Sequence, residues 1–521
     1  MGASCSIAND PVITYPVELV VNILSNLTAS DLVSCRRVNH HFKGIIDSSQ
    51  ELQYHIDTAV AGVVDNPNSP LSLLERKDAL ARRQQAWDTL QPLRTTSDIV
   101  IKYPLNVGME AKRPELVETR LHISPLREEG HYRIVQLAAC PDNTDLVAVG
   151  MRCGDPASLS RRCSSHSFQV DILYFSGAGG EHPWTRRSTV HVKDVLEKDG
   201  VTWEMNIGIH TDILAVHLRP TSKLGGDQWP ERELWVFDWK TGEEIACLKG
   251  KGIEAFRFLS NSFMVLVNIT PSESTATLEL FSISVTNGNL RPTSMMRMAT
   301  LRLPFVDNGC RIARVDFYPP FRVKNPVVHE GRLLYDTSID AKPFTKAQSD
   351  NIIFVNINIG SRRGYDNLSF FVHPSTLLRH IPGPPSRSQG NMWDPIPWEV
   401  WGPTATRWFE GGGPITCGHH SLLKQRYPGG WEIWDFNPYR VRRLGKGFVV
   451  ENETARLTVE TEPSCARSDG IEKGIRSSLP FVKVVPKKWD YTYAGLYEDI
   501  VIGEKHLVGT GQYVVEKLYF G

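Results

Sequence analysis

Between Tyr15 and Ile46 the apolar positions keep a helical rhythm. Leu19, Val20, Ile23, Leu24 and Leu27 recur three, four and seven residues apart, which predicts an amphipathic helix opened by Pro16. Thr28 and Ala29 interrupt the stripe. Ser30 is the expected N-cap of a second helix, with Asp31 at its positive end, and that helix carries Leu32, Val33, Cys35, Val38 and Phe42. Gly44 is expected to loosen or end it before Ile45 and Ile46. Ser48-Ser49 then introduces a helix bearing Leu52, Ile56, Ala59, Val60 and Val63, and the run Asp65-Asn66-Pro67-Asn68-Ser69-Pro70 breaks the chain. Ser72 with Glu75 has the spacing of a capping box. The helix it opens repeats apolar residues every seventh position, at Leu73, Leu80 and Trp87 and again at Ala79, Ala86 and Leu93, with Pro92 expected to end it near residue 91. It is expected to act as a stiff spacer packed on the surface of the next domain.

From Ile99 onward the period changes. Short runs of β-branched and aromatic residues alternate with Gly, Pro, Asn and Asp. Examples are Leu146–Val149, Val170–Phe175, Ile213–Leu218, Phe263–Val267, Ile352–Val355 and Val514-Val515. This pattern predicts an all-β sandwich, barrel or propeller. One version recurs: Leu234-Trp235-Val236-Phe237-Asp238-Trp239-Lys240-Thr241-Gly242 is a strand ending in Asp, then a turn ending in Gly. Related stretches start at Leu278, Leu368 and Trp431. Leu234 and Leu278 lie about 44 residues apart, and Leu278 to Leu368 spans about twice that, close to a propeller-blade period. The strand ending resembles the Trp-Asp end of WD-type blades, although the matching Gly-His signature does not repeat. About six to eight blades of this period fit the remaining chain.

Composition narrows the class. The 521 residues exceed one typical core, Lys+Arg and Asp+Glu balance at 58 each, and no apolar run approaches a membrane span. The neutral total argues against a general nucleic-acid or membrane-surface binder. Nine cysteines are dispersed with no Cys-x-x-Cys pair, which points to reduced thiols in the cytoplasm or nucleus and to no zinc motif. No nucleophile elbow, phosphate loop or His-Glu-x-x-His motif is present, so no catalytic residue, cofactor or metal is expected. Cys417-Gly418-His419-His420 is read as a turn and strand, and the acids around Glu498-Asp499 as solvated.

The first two helices amount to roughly 35 residues, too few to be stable alone, and their stripe is richer in large aliphatics than so small a core requires. Pro16, Glu18, Leu19, Ile23, Leu24, Leu27, Asp31, Leu32, Val38 and Phe42 fall in the order Pro-x-Glu-Leu, Ile-Leu-x-x-Leu, Asp-Leu, Val-x-x-x-aromatic. In this the stretch resembles an F-box, the adaptor-binding module of SCF-type cullin ubiquitin ligases. It departs from the motif at Tyr15, where Leu is usual, at Phe42, where Trp is usual, and at Asn39, where Cys is frequent. The expected fold is thus α+β: a small all-α F-box with linker helices, then a large all-β domain of propeller type. The boundaries expected are a flexible tail at 1–11, the F-box at 12–56, a helical linker at 57–98 and a β domain holding the target at 99–521.

The resemblance implies a non-catalytic receptor. Pro16, Leu19, Val20, Ile23, Leu24, Leu27, Leu32, Val33, Val38 and Phe42 would meet a Skp-family adaptor, and through it the cullin and RING subunits. Candidate target-binding residues come from the β domain: the loop arginines Arg161, Arg162, Arg362 and Arg363, suited to bidentate contacts with a phosphorylated peptide, and, if exposed, Trp393 and Trp398 of an aromatic, proline-rich segment that otherwise reads as a loop capping the β core. The amino end, Met-Gly-Ala-Ser-Cys-Ser, fits an acylation pattern at Gly2 with Cys5 as a second acceptor. The alternative function is therefore an F-box scaffold tethered to a membrane and acting without ubiquitin transfer.

Overall fold

The computed structural model describes residues 15–102, 132–140, 143–154, 164–174, 183–197, 203–220, 230–270, 274–284, 294–307, 309–317, 343–346, 351–361, 364–382, 394–411, 413–425, 430–507 and 512–521. Helices come first: α1 (Val17–Leu24), α2 (Ala29–Cys35), α3 (His40–Ser48), α4 (Gln50–Ala61) and α5 (Leu73–Thr89). The expected second helix is two helices, because Asn39 sits in extended backbone and its side chain accepts the Phe42 N–H, starting a new helix. Thr28, not Ser30, caps α2 by accepting the Asp31 N–H. Gly44 lies inside α3, where its open surroundings cost the helix nothing but propensity. Ser49 caps α4, and Ser72 and Glu75 close the capping box of α5 reciprocally.

The rest is strand. Six antiparallel sheets of four or more strands follow one another among the described residues. The first holds Tyr132–Cys140, Asn143–Gly154, Ser164–Tyr174 and Thr189–Glu197; the second Trp203–His210, Ile213–Pro220, Arg232–Asp238 and Glu243–Gly250; the third Ile253–Ser260, Phe263–Thr270, Thr275–Ser284 and Ser294–Arg302. The fourth holds Arg311–Phe317, Ile353–Ser361, Gly364–Val372 and Thr406–Glu410. The fifth begins with Ile415–Cys417, His420–Lys424 and Trp431–Asp435 and widens to six strands. The sixth is assembled from both ends of the β region: Tyr493–Tyr497, Ile500–Leu507 and Gln512–Tyr519 are completed by Arg94–Lys102, with Arg94 opposite Tyr519.

This is the sheet series of a β-propeller. The recurring sequence pattern has one structural meaning, since Leu234, Leu278, Leu368 and Trp431 all lie on the third strand of their sheets. Neighbouring sheets bury their facing side chains against each other. Ile213 and Ala215 of the second sheet pack with Met264 and Leu266 of the third, while Leu214 and Val216 turn to the first. The β region starts at Arg94 rather than at 99, because pairing with the last strand begins there.

Because neighbouring strands run antiparallel, the carboxy-terminal ends of the first and third strands of a sheet point to one face and those of the second and fourth strands to the other. This alternation fixes which loops are neighbours of the helices.

Candidate functional site

The apolar residues of α1 to α3 form two surfaces. Val20, Leu24, Leu32, Ile45, Ile46 and Leu52 are buried together, with Val21, Leu27, Cys35, Phe42 and Ile56 partly buried around them. Tyr15, Val17, Leu19, Ile23, Val33 and Val38 are exposed. Leu19 keeps 50%, Ile23 63% and Val38 67% of its surface in solvent. Leu19 and Ile23 are one helical turn apart, and so are Val20 and Leu24. The two pairs are offset by one residue, about 100° of helix, which places one pair on the ridge and the other beneath it. Of the ten residues expected at an adaptor, Pro16, Leu19, Ile23, Val33 and Val38 therefore face outward. Leu27 and Phe42 are half-buried, while Val20, Leu24 and Leu32 serve the module's own core. No part of the β domain covers the ridge among the described residues.

The opposite side of the helical unit is anchored. Trp87 of α5 lies between the rings of His420 (4.4 Å) and Phe520 (4.3 Å). Arg83 donates to both oxygens of Asp499, at 2.6 and 3.1 Å, and to the Ala61 carbonyl at 3.0 Å; Trp87 Nε1 donates to Asp499 at 3.3 Å. Asp499 is thus an anchor and not a solvated acid, because the turn between Tyr493–Tyr497 and Ile500–Leu507 carries it into α5. Asn437 Nδ2 donates to the carbonyls of Ala59 and Val60 at 2.8 and 2.9 Å, satisfying the end of α4. Gly62 ends that helix in the left-handed region (φ 67°). A side chain there would strike His419, 2.8 Å from where its Cβ would sit.

Beneath Trp87 lies a buried ion cluster. Arg440, on the helix Pro438–Leu444, donates to Asp435 at 2.5 Å and to Asp88 of α5. Burial would raise the Asp435 carboxyl; Arg440 and the His420 ring oppose this and hold it below the usual carboxylate range. Burial lowers His420 against the pull of Asp435. Nearer the surface Arg443 pairs with Asp57 of α4 at 2.7 Å. His420 and the Gly418-His419 turn are therefore parts of this seam, as is Cys417, whose sulfur accepts the Glu498 N–H at 3.3 Å. None of these roles was visible in the sequence, where partners stand up to 416 residues apart.

Residues 16–58 match a family model described as F-box-like. This segment is an F-box-like domain. Its expected boundary at 56 falls inside α4, which runs on to Ala61. No curated protein matches the chain. Solved structures similar to it include the β-propeller domain of the Trilobed protease from Pyrococcus furiosus and the WD40 domain of SCAP from fission yeast. The first is 9% identical, with a TM-score of 0.28, covering 76% of this chain and 97% of that one. The second is 9% identical, with a TM-score of 0.23, covering 82% and 99%.

The F-box-like domain marks the chain as a protein-interaction or adaptor molecule. The candidates in the β domain fare differently. Arg161, Arg162, Arg362, Arg363 and Trp393 lie outside the described residues, as do Gly2 and Cys5. Trp398 is no exposed anchor. It is 8% exposed, edge-on to Trp401 at 5.1 Å and to Trp408 at 5.5 Å, because Ile396 pairs with the backbone of Thr300 and Arg302 and draws the segment into the core. No described helix is long and apolar enough to cross a membrane.

Proposed function

We propose that this protein is the substrate-recognition subunit of an SCF-type cullin ubiquitin ligase, without catalytic activity of its own. The F-box-like domain docks on a Skp-family adaptor, which brings the cullin and RING subunits, and the β domain holds the target. The observation that carries this reading is the uncovered ridge of Leu19, Ile23, Val33 and Val38. Fully burying one such side chain against a partner contributes about 1.5–3 kcal/mol, so a handful supplies a firm interface. The seam beneath Trp87 supports the reading from the other side. It fixes the helices to the β domain, so a bound target is held near the transferred ubiquitin at high effective concentration.

The test is co-purification of the full chain with a Skp-family adaptor. Wild type is expected to retain the adaptor, and a Leu19→Asp, Ile23→Asp double variant to lose it while melting unchanged. A wild-type chain that folds and does not retain the adaptor overturns the proposal.

A further inference from the structure

Four arginine pairs punctuate the β region, and Arg186-Arg187 belongs to the described stretch 183–197. It lies in the turn between the third and fourth strands of the first sheet. That turn is pinned to its counterpart in the second sheet, where the Lys240 carbonyl accepts the Arg186 N–H at 2.8 Å and the Trp239 carbonyl accepts from Thr185 Oγ1 at 3.4 Å; within the turn Thr185 Oγ1 also donates to the Arg187 carbonyl at 2.5 Å. The second turn is itself locked by Asp238, whose side chain accepts the N–H groups of Lys240 and Thr241 at 2.9 and 3.2 Å. The stem of Arg187 lies on Gly242 (φ 74°), 3.3 Å from where a Cβ would sit. Beside the arginines Trp184 is 63% exposed, with Lys240 Nζ 5.7 Å from its ring.

The patch thus presents a large exposed aromatic and three cations, Arg186, Arg187 and Lys240, on a preformed surface. Asp212, 2.6 Å from Lys240, offsets one of them. Among the described residues no carboxylate pairs with Arg186 or Arg187. Trp and Arg are the side chains that most often dominate interface energetics, and a turn already held by hydrogen bonds loses little entropy when a partner binds. By the alternation of turns, this patch lies on the face of the β domain on which α4 and α5 dock. There they meet the corresponding turns of the fifth and sixth sheets at His419, Asp435 and Asp499.

We propose that Trp184, Arg186, Arg187 and Lys240 form a docking surface for an acidic segment of a target protein, its carboxylates on the arginines and an apolar side chain over Trp184. This assignment rests on the receptor reading and deepens it by naming the partner's chemistry and the face that takes it.

The test uses the full chain and a fluorescein-labelled peptide of glutamates with two spaced leucines, followed by anisotropy. Binding is expected to weaken about tenfold in an Arg186→Glu, Arg187→Glu variant, to weaken severalfold in Trp184→Ala, and to fall steeply with salt. Lys251→Glu, in a turn on the opposite face, is expected to leave it unchanged. Equal affinity in wild type and the double reversal overturns the assignment, as does equal binding of the peptide with lysine for glutamate. Self-association of the chain that the double reversal abolishes would make the occupant a second copy and would also overturn it. Adaptor retention, measured in parallel, is expected to survive the patch variants, and peptide binding to survive Leu19→Asp, Ile23→Asp, so the two proposals fail separately.

Discussion

Helices α1 and α5 both carry apolar residues at helical spacing, and they use them in opposite ways. In α5 the repeat is consumed inside the chain: Leu80, Ala86 and Trp87 are buried, the last two against the fifth and sixth sheets. In α1 it is divided, with Val20 and Leu24 spent on the small core of α1 to α4 while Leu19 and Ile23 remain in solvent. The polar residues differ to match. Those of α5 that face the seam, Arg83 and Asp88, each meet a charge from the β domain, whereas among the described residues no ion pair joins α1 to the β domain. An apolar repeat alone therefore does not say whether a helix belongs to its own chain or to another. The charges beside it do.

The sharpest way to break this comparison is at the seam. Arg440→Ala leaves Asp435 buried without its guanidinium, and the expected loss is about 3–5 kcal/mol, seen as faster amide exchange in α5 and the helix Pro438–Leu444. Next comes Leu32→Ala, a fully buried position, which should cost about 2–5 kcal/mol in the stability of the α1–α4 unit and remove adaptor binding only as a consequence. Leu24→Ala belongs to the same class. By contrast Ile23→Asp should weaken adaptor binding by at least about 1.4 kcal/mol, a factor of ten, while urea titration finds the fold as stable as before. If Leu32→Ala and Ile23→Asp behaved alike, the division of α1 into two faces would be wrong.

Smaller effects sharpen the same contrast. Ser72→Ala should cost α5 about 1 kcal/mol through its lost cap, read as a lower melting temperature. Acid should act on the β domain and not on the ridge. Burial, with Arg219 and Arg232 nearby, pushes His217 down to about 3. An unfolded histidine titrates near 6.5, so between these values the unfolded chain binds more protons. The stability His217 contributes is complete above about 6.5 and is lost as pH falls towards 3. His420, lowered by burial, adds in the same direction. A melting temperature that does not fall between pH 7 and pH 5 would contradict this, and His217→Leu should flatten the profile.

How much of this was legible in the sequence depends on the range of the interaction. Short-range signals came through. Ser49, Ser72 with Glu75, and the third strands beginning near Leu234 and Trp431 all depend on residues within one turn or one strand. The F-box stripe was visible for the same reason. Its division into ridge and core was not, because a 100° offset between Leu19 and Val20 is meaningful only once the packing side is known. Nor was the seam: Asp499 reads as a solvated acid until Arg83 arrives from the far end of the chain. For Trp398 an exposed aromatic and a core-capping one look identical until Ile396 is seen to pair with Thr300 and Arg302.

The sixth sheet has an implication for biosynthesis. Arg94 finds its neighbour at Tyr519, so the strand that comes after the helices stays without one until residues 512–519 have been made. A polypeptide stopped before Gln512 would carry a finished apolar ridge on an unfinished body. The strand Gln512–Tyr519 is in this sense a latch, closing the series of sheets across more than 400 residues of intervening chain.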